Sequence, residues 1–238
     1  MNPDSLLNQW AFFDKIFCIS VDARKDRRQD ARRQFDKVGL LERVEFVIVK
    51  KHPDNCEQGI YEAHMSCIRR GIEADAANIA IFEDDILFER FSPARLERCI
   101  DFLTIQNDWQ VLFFGCLVSG SQATANESVR QVKYRSLAHA YVLNRGFAEV
   151  LVQKSWQDIP FDTMLSACNR NCHMIYPAIA FQSDSVTDNM NCLRLEKFRR
   201  MFGGLRRIQK WNERYHCHKT IIIAIHVVVL ALIILWII

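Results

Sequence analysis

Short apolar runs alternate with longer amphipathic stretches over most of this chain. Apolar runs of strand length lie at residues 15–20, 44–49, 78–82, 111–114, 137–143 and 174–181. Apolar positions recur at helical spacing in residues 26–38, 58–74, 92–103 and 146–154. Strands that alternate with helices pair in parallel, so the pattern predicts an open, mainly parallel α/β sheet flanked by helices. Ligands bind such sheets beyond the carboxyl ends of the strands.

Two further stretches complete the pattern. Residues 120–132 are polar and predict a loop, whereas a short helix is expected to begin at Pro160. Residues 221–238 carry no formal charge and are apolar on every face. As a helix they would span about 27 Å, close to the hydrocarbon thickness of a bilayer. We therefore expect one C-terminal transmembrane helix, since a buried core helix would have a polar face.

A basic segment precedes the apolar helix. Residues 194–219 contain nine Lys or Arg and two Glu, a net charge of +7 in a chain whose total is +3. Because the basicity is local, nucleic-acid binding is not expected, and a juxtamembrane cluster that attracts anionic lipid is the favoured interpretation over a solvated linker. The domain organisation predicted is a catalytic domain at 1–192, a basic juxtamembrane segment at 193–219 and an anchor at 220–238.

The location of the catalytic domain follows from the same features. The first fifteen residues have neither a positive start nor a long apolar run, so they do not predict a secretory signal. Basic residues beside a membrane span mark its cytoplasmic side. The nine cysteines show no spacing typical of a disulfide framework. The sequence thus predicts a single-pass membrane protein with a cytoplasmic catalytic domain.

Three consecutive carboxylates, Glu83, Asp84 and Asp85, follow the apolar run at 78–82. Burying adjacent acids is costly unless a positive charge lies nearby. Oxygen ligands suit Mg²⁺ or Mn²⁺, and such a metal commonly bridges carboxylates and a diphosphate. The cluster therefore indicates a metal site, with a solvated acidic turn as the alternative.

The loop after the first strand offers a second candidate site. It carries Ser20, Asp22, Arg27 and Arg28, and arginine suits phosphate. Neither a P-loop nor a G-x-G-x-x-G fingerprint is present, so the common ATPase and dinucleotide motifs are excluded. A basic helix face is the alternative.

Six segments, in this order, resemble glycosyltransferase family 25, which includes lipopolysaccharide-biosynthesis galactosyltransferases and collagen galactosyltransferase domains. They are KIFCISVDARKDRR, GIYEAHMSCIRRGIE, IAIFEDDILF, VLFFG, SLAHAYVLNRGFAEVLV and PFDTML. The resemblance runs from about residue 15 to residue 184. It implies a GT-A-like nucleotide-binding fold and transfer of a hexose, often galactose, from a UDP-sugar. It also implies that Glu83, Asp84 and Asp85 fill the place of the metal-binding acidic motif.

The resemblance implies roles for further residues. Arg27 and Arg28 would lie near the nucleotide, and Gly59 and His64 match a Gly-x-x-x-x-His motif beside the donor pocket. Asp162 matches a late Pro-x-Asp, where an acid could contact the acceptor or act as the base; a lone Asp in a loop is otherwise typical of a cap. Two departures are Ala63, where a Ser often stands, and the terminal anchor.

The predicted reaction is metal-assisted transfer of a hexose from a UDP-sugar to a glycan or lipid-linked acceptor in surface-polysaccharide biosynthesis. Asp84 and Asp85 would hold Mn²⁺ or Mg²⁺, Asp85 and Asp162 would be catalytic, and Ser20, Asp22 and Glu83 would help to bind the donor. Two alternatives use the same residues. One is a membrane-anchored, non-catalytic binding protein, and the other is a nucleotidyl- or phosphotransferase.

Overall fold

A computed structural model describes residues 9–106, 108–168, 170–183, 199 and 201–237. The strands are β1 (Lys15–Val21), β2 (Glu45–Val49), β3 (Asn78–Glu83), β4 (Ile86–Phe88), β5 (Val111–Phe113), β6 (Leu117–Ala123), β7 (Val129–Ser136), β8 (Ala140–Asn144), β9 (Cys172–Ile175) and β10 (Ala180–Gln182). The helices are α1 (Lys25–Lys37), α2 (Cys56–Glu73), α3 (Pro93–Ile105), α4 (Arg145–Leu151), α5 (Phe161–Cys168) and α6 (Leu205–Ile237).

Eight strands form one sheet in the order β2-β1-β3-β8-β5-β9-β7-β6, and β4 pairs with β10 in a separate ribbon. Strands β8 and β7 run opposite to the other six, so β1–β2, β1–β3 and β5–β9 are the parallel pairs. This confirms the predicted α/β class, consistent with a GT-A-like architecture. The sheet is mixed because β8 inserts antiparallel between β3 and β5.

The sheet is buried on both faces. In β3, Ile79 and Ile81 pack on one side with α2, whereas Ala80 and Phe82 pack on the other with α1. Alternate side chains of a strand point to opposite faces, so an apolar run without polar interruptions is what two covered faces require. The apolar run ends at Glu83, at the carboxyl end of the strand.

The prediction of a loop at residues 120–132 is wrong. Most of it belongs to the β6–β7 hairpin, whose strands pair from Leu117↔Ser136 to Ala123↔Arg130. The hairpin lies at the edge of the sheet, and many of its side chains are exposed or half-buried. Val129 and Val132 are the two apolar residues of 120–132 that the hairpin buries, so this stretch lacks the sustained alternation of apolar and polar residues that predicts a strand.

Helix α6 has two unlike halves, separated by non-helical backbone at His218. The first half packs on the edge strand β6 and on β10. Asn212 accepts from Val118 N and donates to Val118 O, both at 2.9 Å, and Gln209 Nε2 donates to Ala180 O at 2.9 Å. Residues 205–217 are therefore not a free linker; the predicted boundary at 192/193 lies outside the described residues.

The second half of α6 is exposed and apolar. The helix is long and apolar enough to cross a membrane, with a mean hydropathy of 2.5 over its most apolar window and none of that window buried. Residues 220–237 of the predicted anchor lie in this half, and their insertion in a membrane stays a prediction. The first half of the same helix contacts the domain. The apolar half is therefore connected to the domain by a helix that is interrupted at His218.

We expect Gly115→Ala to destabilise the domain severely. A Cβ at Gly115 would lie 2.0 Å from the Ala180 carbonyl oxygen and 2.5 Å from Gln209 Nε2, so backbone and the docked half of α6 would have to move. Overpacking of this kind costs about 2–3 kcal/mol. The matched control is Gly120→Ala, where the nearest atom is 3.6 Å away. Denaturant unfolding of both variants measures the difference, and equal stability would contradict the packing described here.

Candidate functional site

A cavity of about 540 Å³ opens at the carboxyl ends of β1, β2 and β3. Its walls come from these strand ends, the first turns of α2, the loop at 136–139, the start of α5 and residues 204–205 just before and at the start of α6. This is the size of many small-molecule sites, and it lies where open α/β sheets bind ligands.

The acid cluster forms the floor of this cavity. Asp84 and Asp85 are only 6% and 5% exposed, whereas 30% of the Glu83 side chain faces the open space. Arg27 Nη1 lies 3.5 Å from Asp84 Oδ1 and 3.7 Å from Asp85 Oδ2. One guanidinium thus faces two buried carboxylates, which compensates only part of their charge.

The two buried aspartates retain unused oxygen atoms. Gln182 Nε2 donates to Asp85 Oδ2 at 2.8 Å, and Ser183 N donates to the Asp85 carbonyl at 2.8 Å. Within the described ranges, Asp84 Oδ2 and Asp85 Oδ1 are buried and accept no hydrogen bond. A buried carboxylate oxygen without a donor is costly, so a ligand that supplies positive charge fits this position.

Burial raises the pKa of all three carboxyl groups. For Glu83 the pKa rises to about 8, because burial is reinforced by Asp162 and Asp84. The pKa values of Asp84 and Asp85 rise for the same main reason, although Arg27 lowers both. A bound cation would favour the ionised form of each group.

The donor set fits a divalent cation held by two carboxylates. Asp84 and Asp85 offer hard oxygen ligands with free acceptor atoms. Among the described residues, no group of three or more His, Cys, Asp or Glu side chains is placed so that it could hold a metal ion by itself. A cation here would complete its coordination with water and ligand phosphates, which is the usual way that Mg²⁺ is bound in nucleotide sites.

His64 lies between the cavity and the core. It is 1% exposed, its ring stacks on Phe161 at 4.2 Å, and its Nδ1 is 2.9 Å from the Tyr141 hydroxyl. Burial lowers the pKa of His64 to about 4, so the ring is neutral near pH 7. Its Nε2 lies 3.4 Å from Glu83 Oε1. The neutral ring therefore lies against the Glu83 carboxyl without forming an ion pair.

Asp162, in the first turn of α5, is fully engaged. Its Oδ1 accepts from the Tyr134 hydroxyl at 2.6 Å and Ala138 N at 3.0 Å, and its Oδ2 accepts from Leu137 N at 2.9 Å. Leu137 has a φ of 75°, an uncommon conformation for a leucine, which these contacts hold. Asp162 lines the cavity, but this arrangement suits a positioning residue better than a general base.

The other predicted residues divide into two groups. Gly59 lines the cavity, and a Cβ there would come within 2.9 Å of the His52 Cβ. Ser20, Asp22 and Arg28 are not among the residues that line it. Arg28 Nη1 donates to Ser20 Oγ at 3.1 Å, and its Nη2 to the Asp22 carbonyl at 3.4 Å. These contacts tie the end of β1 and the loop after it to the first turn of α1, which carries Arg27, and Ser20 also forms a hydrogen bond with Asp84.

The structure adds Lys50, Lys51 and Arg199 as functional candidates that the sequence patterns missed, and it places His139, whose run of residues 137–143 was expected to form a strand, in the cavity lining. Lys50 and Lys51 directly follow β2 and line the cavity, as does Arg199. His139 is fully buried beside the acids, where burial lowers its pKa and Asp85 opposes this effect. The pair Lys50 and Lys51 at the carboxyl end of a strand could have been identified from the sequence. The position of Arg199 at the cavity could not, because it depends on tertiary packing.

Comparison with known proteins gives one similarity in sequence. No protein-family model matches the chain. A stretch of 129 residues is 26% identical to Procollagen galactosyltransferase 1-A of Xenopus laevis, and it covers 43% of this chain and 21% of that protein. The matched part thus spans about a fifth of the length of this relative.

Solved structures show more distant similarity. A crystal structure of a protein from STIV has a TM-score of 0.48 and 12% identity, covering 70% of this chain and 83% of that one. The structure of mannose-1-phosphate geranyltransferase from Thermus thermophilus has a TM-score of 0.40 and 8% identity, covering 73% and 63% of the two chains.

Proposed function

We propose that this protein is a membrane-anchored glycosyltransferase that moves a hexose, in the first instance galactose, from a UDP-sugar to a glycan or lipid-linked acceptor. The observation that carries the proposal is the pair Asp84 and Asp85, buried at the carboxyl end of β3 with one unused oxygen each, beside Arg27 and a cavity of about 540 Å³. The sequence similarity to a galactosyltransferase supports sugar transfer as the reaction class.

The charges around the cavity favour a nucleoside diphosphate as the donor's leaving group. Acids form its floor, whereas Lys50, Lys51 and Arg199 contribute positive charge to its wall. Phosphate oxygens bind well to Arg and Lys side chains. A cation held by Asp84 and Asp85 would supply charge neutralisation for the departing diphosphate. Arg27 contributes a fixed positive charge at the same place.

The proton of the acceptor hydroxyl needs a carboxyl that faces the cavity. Glu83 meets this condition, because 30% of its side chain is exposed and His64 Nε2 lies 3.4 Å from its Oε1. The acceptor oxygen would bond to the anomeric carbon as the bond to the diphosphate breaks, and its proton would pass to a carboxylate. We assign this role to Glu83 and assign Asp162 to holding the loop at 137–138.

The anchor is part of the same proposal. The apolar half of α6 would span the bilayer with the catalytic domain on the cytoplasmic side, and Gly204 and Leu205 contribute to the cavity wall just before the helix docks on the sheet. A site built partly from the membrane-proximal segment suits an acceptor presented at the membrane surface. We therefore favour a lipid-linked glycan in surface-polysaccharide biosynthesis as the acceptor.

Donor hydrolysis tests the proposal. The purified full chain in detergent, supplied with Mn²⁺ or Mg²⁺ and a panel of UDP-, GDP- and CMP-sugars, is expected to release UDP from a UDP-hexose. Chelation with EDTA should abolish the release, since the two aspartates alone would repel a diphosphate.

Each other outcome has a meaning. Release of a sugar phosphate together with UMP, instead of UDP, would identify a nucleotidyl- or phosphotransferase. Binding of a UDP-sugar without turnover over the whole metal panel would identify a non-catalytic binding protein. Turnover unaffected by EDTA would contradict the metal assignment.

A further inference from the structure

A second cavity lies where α6 leaves the domain. It has a volume of about 360 Å³ and lies between the edge strand β6 and the end of the docked half of α6. Its lining residues are 119–123 of β6, Arg130 of β7 and His216, Cys217, Lys219 and Thr220. It shares no lining residue with the larger cavity, so it is a separate site.

The lining suits an anion. Arg130 and Lys219 carry positive charge, and Ser119, Ser121 and Thr220 add hydroxyl groups. Within the described part of the chain, no Asp or Glu lines this cavity. Two cations and several hydroxyl donors around one small space are the chemistry that binds a phosphate group.

Arg130 is held in place before any ligand arrives. Its Nε donates to Ser121 Oγ at 3.1 Å, and its guanidinium carbon lies 5.5 Å from the centroid of the Tyr176 ring. The bond to Ser121 uses Nε and leaves the two terminal nitrogen groups for other acceptors. A fixed guanidinium loses little conformational entropy when it binds, so it favours a specific site over diffuse attraction.

The position of the cavity along α6 indicates where its ligand comes from. Lys219 and Thr220 directly precede the apolar residues that begin at Ile221. If residues 221–237 fill the hydrocarbon region, as about 25 Å of helix would, the cavity lies at the depth of the lipid headgroups. A phosphate at that depth belongs to a lipid.

We propose that this cavity binds the headgroup phosphate of an anionic membrane phospholipid. The site would fix the domain against the membrane surface at the point where the anchor enters it. The inference rests on the membrane anchor of the proposed function but not on sugar transfer, so a protein without transferase activity would still show it.

Native mass spectrometry of the full chain in detergent tests the site. Phosphatidylglycerol, phosphatidylcholine and inorganic phosphate are titrated separately. We expect one phosphatidylglycerol to bind with clear preference over phosphatidylcholine. The double variant Arg130→Gln/Lys219→Gln should bind it about 30-fold more weakly and Lys219→Gln alone about fivefold more weakly, the factors expected for two and one cationic contacts at a membrane surface.

A charge-matched control separates a site from general basicity. Arg207 and Arg214 are exposed on the docked half of α6 and do not line the cavity, so Arg207→Gln/Arg214→Gln should retain phosphatidylglycerol binding. Equal losses in both double variants would overturn the proposal, as would equal binding of phosphatidylcholine. Inorganic phosphate bound as tightly as the lipid would identify a soluble anion as the ligand and overturn the lipid assignment. The Lys219 variant keeps the test valid if loss of Arg130 disturbs the hairpin.

Discussion

Asp85→Asn is expected to abolish UDP release while leaving the domain at least as stable as the unmodified chain. The side chain lies on the cavity floor, and its Oδ1 is buried without a hydrogen-bond donor among the described residues. Removing one group that stabilises transition-state charge typically costs about 10²- to 10³-fold in kcat. Burial raises the pKa of Asp85, so the charged form is disfavoured by the fold and a neutral isostere removes that penalty.

The prediction is specific because activity should fall while stability stays the same or rises. Loss of activity through unfolding would lower the melting temperature, whereas loss of a metal ligand would not. Asp26→Asn is the matched control, because Asp26 is exposed on α1, pairs with Arg24 and lies outside the cavity. Release of UDP and thermal unfolding, measured on both variants with Mn²⁺ and donor present, decide the matter. Full activity of Asp85→Asn would contradict the assignment of Asp85 as a metal ligand.

The central strands were predictable because a strand that is buried on both faces has an uninterrupted apolar sequence. The run at 78–82 is apolar at every position after Asn78, and it ends in acids where the structure ends β3. The β6–β7 hairpin lies at the end of the sheet and buries mainly one face, through Val118, Val132 and Tyr134, so its sequence is largely polar. The docked half of α6 was missed for a related reason: polar residues hold it, and polar residues are usually solvent-facing. Asn212 bonds to β6, Gln209 to β10, and Glu213 to the backbone of Ala178 between β9 and β10.

The site was predictable in part. The rule that carboxyl ends of parallel strands meet at one edge correctly brings Arg27, after β1, to the acids after β3. Gln182 and Asp85 are 97 positions apart in the sequence, and their contact depends on the β4–β10 ribbon. No local sequence pattern predicts this ribbon. The metal itself and the catalytic roles stay predictions.

Asp162→Ala is expected to cost about 4 kcal/mol of unfolding free energy, because three donors would lose their acceptor at once. Two of these donors belong to Tyr134 and Ala138, which are 2% and 3% exposed, and the third is the backbone of Leu137 in its left-handed conformation. The matched control is Asp158→Asn, in the exposed loop before α5, where Asp158 accepts one hydrogen bond, from Asn55 at 3.3 Å. Urea unfolding should show little change for the control.

Asp162→Asn separates a positioning residue from a general base. Asparagine keeps the shape but offers one acceptor oxygen to three donors, so we expect reduced stability, a raised KM for the donor and a smaller fall in kcat. The pH profile of kcat should keep its shape, since the group that accepts the proton is unchanged. A base would give the reverse: normal stability, unchanged KM and a kcat that loses its acidic limb. The three hydrogen bonds already made by the carboxylate favour the first result, because a base that gives up those contacts to take a proton would release the loop that forms the cavity wall.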